Sequence, residues 1–209
     1  LQGDWSSDVC SSDLFSPDPP IRSDSLSRTQ VLVAMGVTSI LLLLAAKLWL
    51  HFQPQILVPV TLTIGDSLIG ICLGLGITLL SGVIYRFWPA YRKSADSYLT
   101  MVLKPLHWLD LPWLGLLPGL SEELLFRGVI LPAIGFTPQG VIISAASFGI
   151  LHLSSWRQWP YVIWATLIGL GLGLGVVMTH NLLVPVLAHI TTNLISSLLW
   201  KWNLAKTAA

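Results

Sequence analysis

The fold of this chain is decided by Pro112–Leu131, which reads PWLGLLPGLSEELLFRGVIL. A helix needs about 20 mainly apolar residues to cross the hydrocarbon of a bilayer, and this run has that length and character. Its only charged residues are Glu122, Glu123 and Arg127, and these two glutamates are the only ones in the chain. Because ionisable groups are costly to bury in such surroundings, the pair indicates a functional site.

The composition of the whole chain is that of a membrane protein. Its 209 residues are 54% hydrophobic and 10% charged, and the mean hydropathy is +0.74. Soluble globular domains carry about 25% charged residues, so a soluble surface could not be covered here. The net charge of +1 favours neither nucleic acid nor an acidic partner, and Cys10 and Cys72 are too few for a disulfide framework or a thiolate metal site.

We predict an all-α, polytopic transmembrane bundle of about six membrane helices. The predicted spans are Val31–Leu50, Asp66–Phe87, Pro112–Leu131, Gln139–Leu153, Tyr161–Met178 and Leu182–Trp200. Pro118 and Gly119 could break the third helix. Gly70 and Gly74, and the glycines of 169–175, have the small-xxx-small spacing that lets helices approach closely in lipid.

The distribution of basic residues predicts the orientation of the chain, because Lys and Arg favour cytoplasmic loops. With the N-terminus inside, the basic residues outside the glutamate motif lie on the cytoplasmic side, and Lys47, near an outer helix end where it could snorkel, is the exception. The cytoplasmic set is Arg22, Arg28, Arg86, Arg92, Lys93, Lys104, Arg157, Lys201 and Lys206. We therefore expect an integral membrane protein with both termini cytoplasmic, and the composition suits a bacterial inner (plasma) membrane.

The chain divides into five segments by composition. Asp4–Leu14 reads DWSSDVCSSDL, which looks like the translation of a common sequencing-adapter oligonucleotide, so we expect residues 1–14 to be an artefact of assembly. The other four segments are an N-terminal cytoplasmic stretch (15–30), an accessory transmembrane helical pair (31–104), a core that carries the polar motifs (105–202) and a C-terminal tail (203–209).

Helical spacing separates the two glutamates. Residues four apart share a helix face, so Glu123 and Arg127 can pair. Glu122 points about 100° away and is free to face a different cavity. The Arg127 guanidinium therefore neutralises Glu123, whereas Glu122 remains the candidate catalytic residue.

Two other predicted helices supply buried polar groups. Phe148 and His152 are four apart on the fourth helix, and His189 and Asn193 are four apart on the sixth. Further polar candidates are Thr192 and Asn181. In lipid such groups should face one another, because the alternative is an unsatisfied group in hydrocarbon. A lone intramembrane histidine is often only an interhelical hydrogen-bond partner, so it is the conjunction of three sites that favours function.

At these residues the chain resembles the CPBP family (CAAX proteases and bacteriocin-processing enzymes, also called ABI proteins), and within it the type II CAAX prenyl endopeptidases. The family's motifs are Glu-Glu-x-x-x-Arg, Phe-x-x-x-His and His-x-x-x-Asn. They occur here in order at Glu122–Arg127, Phe148–His152 and His189–Asn193. The resemblance covers Pro105 to about Trp202, and the three motifs together are far more specific than any one of them.

The resemblance implies an intramembrane glutamic endopeptidase, a peptide-bond hydrolase. By position, Glu122 would act as general base on a water that His152 helps to bind and orient. His189 and Asn193 would form the oxyanion hole. These residue types suit acyl transfer to water, which needs a base and hydrogen-bond donors for the developing oxyanion.

The same resemblance assigns supporting roles to Glu123, Arg127 and Phe148, which would hold the site in shape. It implies no metal and no cofactor. The expected partners are the lipid bilayer and a membrane-associated peptide or protein substrate, with CAAX-like peptides as one class. The sequence carries no signature of the physiological substrate or of the oligomeric state.

Two alternatives remain open from the residues. A zinc hydrolase could use His152, His189 and Glu122 as its three protein ligands, although no His-Glu-x-x-His is present. A non-catalytic membrane carrier or scaffold is the other alternative, because buried Glu, His and Asn also suit proton relays. A carrier would be expected to show repeated halves, and none is evident.

Overall fold

The computed structural model describes residues 26–208, and in that range the chain is helical without β-strands. The α-helices are α1 (Arg28–Phe52), α2 (Ile64–Phe87), α3 (Pro89–Leu103), α4 (Leu111–Leu125), α5 (Leu131–Ile134), α6 (Pro138–Ile150), α7 (Trp159–Thr179) and α8 (Leu183–Ala208). Short 3-10 turns occupy Pro54–Ile56, Trp108–Asp110 and Trp156–Gln158, and a π turn occupies Phe126–Ile130. The predicted adapter segment, 1–14, and most of the predicted N-terminal stretch lie outside the described residues.

The predicted all-α membrane bundle is confirmed. Within the described part of the chain, α1, α2, α7 and α8 are long and apolar enough to cross a bilayer, by length and composition. The helix α6 is apolar but shorter, and α4, the π turn and α5 follow one another without a break. Together these elements are compatible with about six membrane helices. Pro118 lies inside α4 and does not end it.

The helix α3 was not predicted, because the segment between the second and third spans reads as a charged connection. Pro89 begins the helix at a position that needs no N–H partner. Tyr91 and Ala95 lie buried on one face, whereas Arg92 and Lys93 are exposed on the other. An amphipathic helix of this kind is too polar for a hydropathy criterion and is stabilised by the packing of its apolar face.

Close packing of α2 against α8 depends on two glycines. A Cβ at Gly74 would lie 2.5 Å from the carbonyl oxygen of Ala188, and one at Gly70 would lie 2.8 Å from that of Val184. Thr192 Oγ1 donates a hydrogen bond to the carbonyl of Gly74 at 3.1 Å. The small-xxx-small spacing therefore fixes the position of α8.

The π turn directs backbone carbonyls of the motif helix towards other segments. Ser144 Oγ on α6 donates to the carbonyl of Phe126 at 2.9 Å. The N–H of Val58, in the segment between α1 and α2, donates to the carbonyl of Gly128 at 3.2 Å. π turns are rare and commonly occur at functional sites, and this one is held by partners on two sides.

Polar contacts tie the two ends of the bundle together. Just before α8, the Asn181 amide donates to Thr61 O at 2.7 Å and to Asp66 Oδ2 at 2.9 Å. At the opposite end, Arg28 binds Asp110 through two hydrogen bonds of 2.7 and 2.8 Å. The Arg28 guanidinium holds the pKa of the Asp110 carboxyl well below its usual range, so this pair stays ionised.

Candidate active site

A buried cluster of charge lies where α4, α7 and α8 meet. Arg127 Nη1 donates to Glu123 Oε1 at 2.8 Å, and Arg127 Nη2 donates to the Gly169 carbonyl at 3.0 Å. His189 Nδ1 lies 2.7 Å from the same Glu123 oxygen. Glu123 and Arg127 are fully buried. The pairing expected from the four-residue spacing is present, and Arg127 and His189 share one carboxylate oxygen.

Phe148 joins this cluster to the second histidine. The Arg127 guanidinium carbon lies 4.4 Å from the centroid of the Phe148 ring, which is cation–π geometry. The ring centroids of His152 and His189 are 4.9 and 5.8 Å from that of Phe148. The side chain of Phe148 thus contacts a residue of every motif and is buried among them.

His152 lies just after α6, and a backbone carbonyl determines which of its ring nitrogens carries the proton. Its Nδ1 is 3.0 Å from the carbonyl oxygen of Phe148. A carbonyl only accepts hydrogen bonds, so Nδ1 must carry the proton of this contact. In the neutral imidazole Nε2 is then an acceptor, as required of a group that orients a water.

Glu122 occupies a different environment from Glu123, as the helical spacing predicts. It is half-buried, and its charge adds to the effect of burial in raising the pKa of the Tyr98 phenol. Its Oε2 is buried and has no hydrogen-bond partner among the residues that the structure describes. Glu123 Oε2 is likewise without one there, but Glu123 Oε1 already accepts two bonds.

The remaining predicted site residues are placed less centrally. His189 is anchored to Glu123 by the contact of its Nδ1 with Glu123 Oε1. Asn193 lies one turn further along α8 and is half-buried. Asn181 and Thr192, expected as further members of the network, bind the α2 end and the Gly74 carbonyl instead.

Two tyrosines beside Glu122 were missed by the sequence reasoning. Tyr98 lies on α3, the helix that was read as a connection, and Tyr161 lies on the first turn of α7. The Tyr161 ring centroid is 6.0 Å from that of His152. The available signal was the spacing of Tyr91 and Tyr98, seven residues apart and so on one face of a helix.

The donors for a metal ion are not brought together. Among residues 26–208 no group of three His, Cys, Asp or Glu side chains has the arrangement needed to hold a metal ion. In particular, the His189 nitrogen nearest the carboxylates is engaged by Glu123. The ligand set of the zinc alternative, Glu122 with His152 and His189, is therefore not assembled in this geometry.

Comparison with known proteins gives a family for the segment that carries the site. Residues 104–195 match the family model described as type II CAAX prenyl endopeptidase Rce1-like. The uncharacterized protein YpbD of Bacillus subtilis (strain 168) is 28% identical over 120 residues, which are 57% of this chain and 61% of that protein. The match therefore spans less than two thirds of the relative.

No solved structure matches the chain. All three motifs fall inside the matched segment. Residues 104–195 of this chain are thus similar to the Rce1-like type II CAAX prenyl endopeptidases.

Proposed function

We propose that this protein is an intramembrane endopeptidase that hydrolyses peptide bonds of membrane-associated substrates with a water activated by Glu122. The family supports a CAAX-type intramembrane protease. The observation that carries the assignment of the base is the buried, unpartnered Oε2 of Glu122. A buried acceptor without a partner is costly, and a substrate water would satisfy it.

Glu122 is a better candidate for the base than its neighbour. Glu123 accepts hydrogen bonds from Arg127 and His189 through one oxygen and is fully buried. A carboxylate held in this way is a poor proton acceptor and a good structural anchor. Glu122 is half-buried, and no basic side chain of the described residues forms a salt bridge with it, so a water can reach it.

In the proposed reaction, a water donates one O–H to Glu122 Oε2 and the other to His152 Nε2. The water oxygen attacks the scissile carbonyl as its proton moves to Glu122, and a tetrahedral oxyanion forms. His189 and Asn193 donate hydrogen bonds to that oxyanion. The proton on Glu122 then passes to the leaving amine as the C–N bond breaks, which returns the carboxylate.

Glu123 contributes by holding His189 in place for this step. Its Oε1 accepts the Nδ1–H of His189. The carboxylate can therefore compensate a second proton on the imidazole, in which case Nε2–H is a charge-assisted donor for the oxyanion. Arg127 and Phe148 fix the carboxylate and the ring in turn.

The proposed setting is a bacterial plasma membrane with both termini in the cytoplasm. Its support is the asymmetry of Lys and Arg between the connections of the bundle. His152 lies at the end of α6 that this topology places inside, so the site opens towards the cytoplasm. The proposed substrate is a peptide or protein segment that reaches the membrane from that side.

The function is tested by cleavage of a panel of membrane-tethered peptides by purified wild type and Glu122→Gln. Loss of a general base typically lowers the rate about 10²- to 10⁴-fold, and we expect a fall of this order without a change in thermal stability. The matched control is Glu123→Gln, which should lower the thermal stability of the protein as well as its activity. Cleavage by Glu122→Gln at the wild-type rate would exclude the proposal.

The alternatives give different results in the same assay. Loss of wild-type activity on adding a chelator, with recovery on adding zinc, would favour the zinc hydrolase. If no form cleaves any peptide while Glu122→Gln abolishes ion-coupled uptake, the carrier is favoured.

A further inference from the structure

Three tyrosines form a stack between α3 and α7. The Tyr98 and Tyr161 ring centroids are 4.7 Å apart, with 25° between the ring planes. Tyr91 stacks on Tyr161 from a centroid distance of 6.3 Å, with the planes 6° apart. Tyr91 and Tyr98 are two helical turns apart on the same face of α3, so the ring of Tyr161 contacts both.

The two ends of this stack have different surroundings. The charge of Glu122 adds to the effect of burial on the pKa of Tyr98 and raises it, whereas Tyr91 packs against Trp88 and Trp164. Tyr161 also borders His152, with ring centroids 6.0 Å apart. The Tyr98–Tyr161 pair is therefore next to both groups proposed to hold the water.

The two rings are held in place by the packing of α3 on α7. Because the Tyr161 ring borders that of His152, a substrate whose scissile bond lies over the water would meet these rings. An aromatic contact suits an apolar side chain at this place.

We propose that Tyr98 and Tyr161 form the substrate-binding wall of this site and position the residue next to the scissile bond over Glu122. This deepens the proposed function and rests on it. The wall is made by α3 and α7, so the amphipathic helix α3 is part of the active site and not only a connection. Tyr98 and Tyr161 are positioning residues, and the chemistry stays with the motif residues.

The state of Tyr98 agrees with this role. Burial, with a smaller contribution from the charge of Glu122, raises the pKa of Tyr98 to about 12. The phenol is therefore neutral at any physiological pH. A neutral ring beside the carboxylate adds no second negative charge next to the substrate.

Steady-state kinetics separates this role from simple packing. We expect Tyr98→Ala to raise KM about tenfold with little change in kcat, the size expected for one lost aromatic contact. Tyr98→Phe, which keeps the ring, should stay close to wild type in KM. Tyr91→Ala is the matched control, because it removes the other ring that stacks on Tyr161 but is remote from Glu122.

Equal KM values for Tyr98→Ala and Tyr91→Ala would show that the stack only holds α3 on α7. If Tyr98→Ala fails to fold, Tyr98→Leu keeps most of the buried volume and replaces it in the comparison. In that case an unchanged KM for Tyr98→Leu overturns the proposal.

A second measurement does not depend on turnover. Benzoylphenylalanine placed at position 98 in the Glu122→Gln background should form a photo-crosslink to a membrane-tethered peptide, and the same group at the exposed Met101 should not. Equal crosslinking yields at positions 98 and 101 would contradict the proposed substrate-binding wall. If the peptide crosslinks at position 98 alone but the wild type cleaves no peptide, the tyrosine pair is a binding site and the proposed protease activity is rejected.

Discussion

At the scale of single residues, the site depends on a division of labour between adjacent carboxylates. Glu123 is fully buried, binds Arg127 and His189, and joins α4 to α8. Glu122 is half-buried and keeps one oxygen without a partner among the described residues. The two residues differ by one helical step, and this step puts one in a structural network and the other beside the tyrosines.

Removal of Arg127 should destabilise the protein strongly. Arg127→Met leaves Glu123 buried without its cation, and breaking one partner of a buried pair typically costs about 3–5 kcal/mol. Denaturant unfolding in detergent measures this. Arg28→Met is the control, because that guanidinium is 48% exposed in its pair with Asp110 and should matter far less. Equal losses for both variants would contradict the structural role given to Arg127.

The sequence predicts the separation of Glu122 from Glu123 because both lie on one regular helix, where spacing alone determines the face. It does not predict that His189 binds Glu123, since that contact depends on how α8 lies against α4. Tyr98 and Tyr161 are 63 positions apart in the chain, and only the packing of α3 on α7 brings them together. Site residues that share an element were predictable, and those joined by packing were not.

At the scale of elements, the contact between α2 and α8 sets the position of His189. The Ala188 carbonyl, one residue before His189, packs directly on Gly74. A backbone atom at this distance cannot turn away as a side chain can. The accessory helix α2 thus supports the catalytic segment although it carries none of the motifs.

Gly74→Ala should therefore destabilise the protein and lower its activity together. The added methyl group would lie 2.5 Å from the Ala188 oxygen, and overpacking of this kind costs about 1–3 kcal/mol. Gly76→Ala, on the same helix with open space around its Cβ, should be neutral or slightly stabilising, because alanine is the better helix former. Thermal unfolding of both variants tests this. A loss of the same size at Gly76 would mean that helix flexibility, and not the contact, is what Gly74 provides.

Among the elements, long apolar helices were predicted well and α3 was missed. Hydropathy recognises segments that are apolar on every face, such as α1, α2, α7 and α8. α3 buries one face and exposes Arg92 and Lys93 on the other, so its average polarity resembles that of a loop. The π turn was missed for a related reason, because its carbonyl partners, Ser144 and Val58, come from other segments.

At the scale of the whole molecule, the class of fold follows from composition, because a chain with so few charges cannot cover a soluble surface. The proposed topology rests on the basic residues, because Lys and Arg favour cytoplasmic connections. The relative positions of the helices cannot be read in this way, because in lipid they depend on close packing at sites such as Gly70 and Gly74.

Cysteine labelling tests this topology directly. In a variant with Cys10 and Cys72 replaced by serine, Lys104→Cys and His152→Cys should react with an impermeant thiol reagent applied from the cytoplasmic side. Leu62→Cys, which is highly exposed between α1 and α2, should react only from outside. Labelling of positions 62 and 104 from the same side would contradict the proposed orientation, and labelling of 152 only from outside would contradict the proposed opening of the site.

The π turn at Phe126–Ile130 makes the length of this segment as important as its composition. Each residue added to or removed from a helix rotates the remainder of that helix by about 100°. A single insertion or deletion between Glu123 and Leu131 would therefore rotate Arg127 away from the Glu123 carboxylate. Alternatively, it would rotate the carbonyls of Phe126 and Gly128 away from their donors, Ser144 and Val58. Lipid-facing positions nearby can change their side chains freely, but the number of residues in this segment cannot change without dismantling the site.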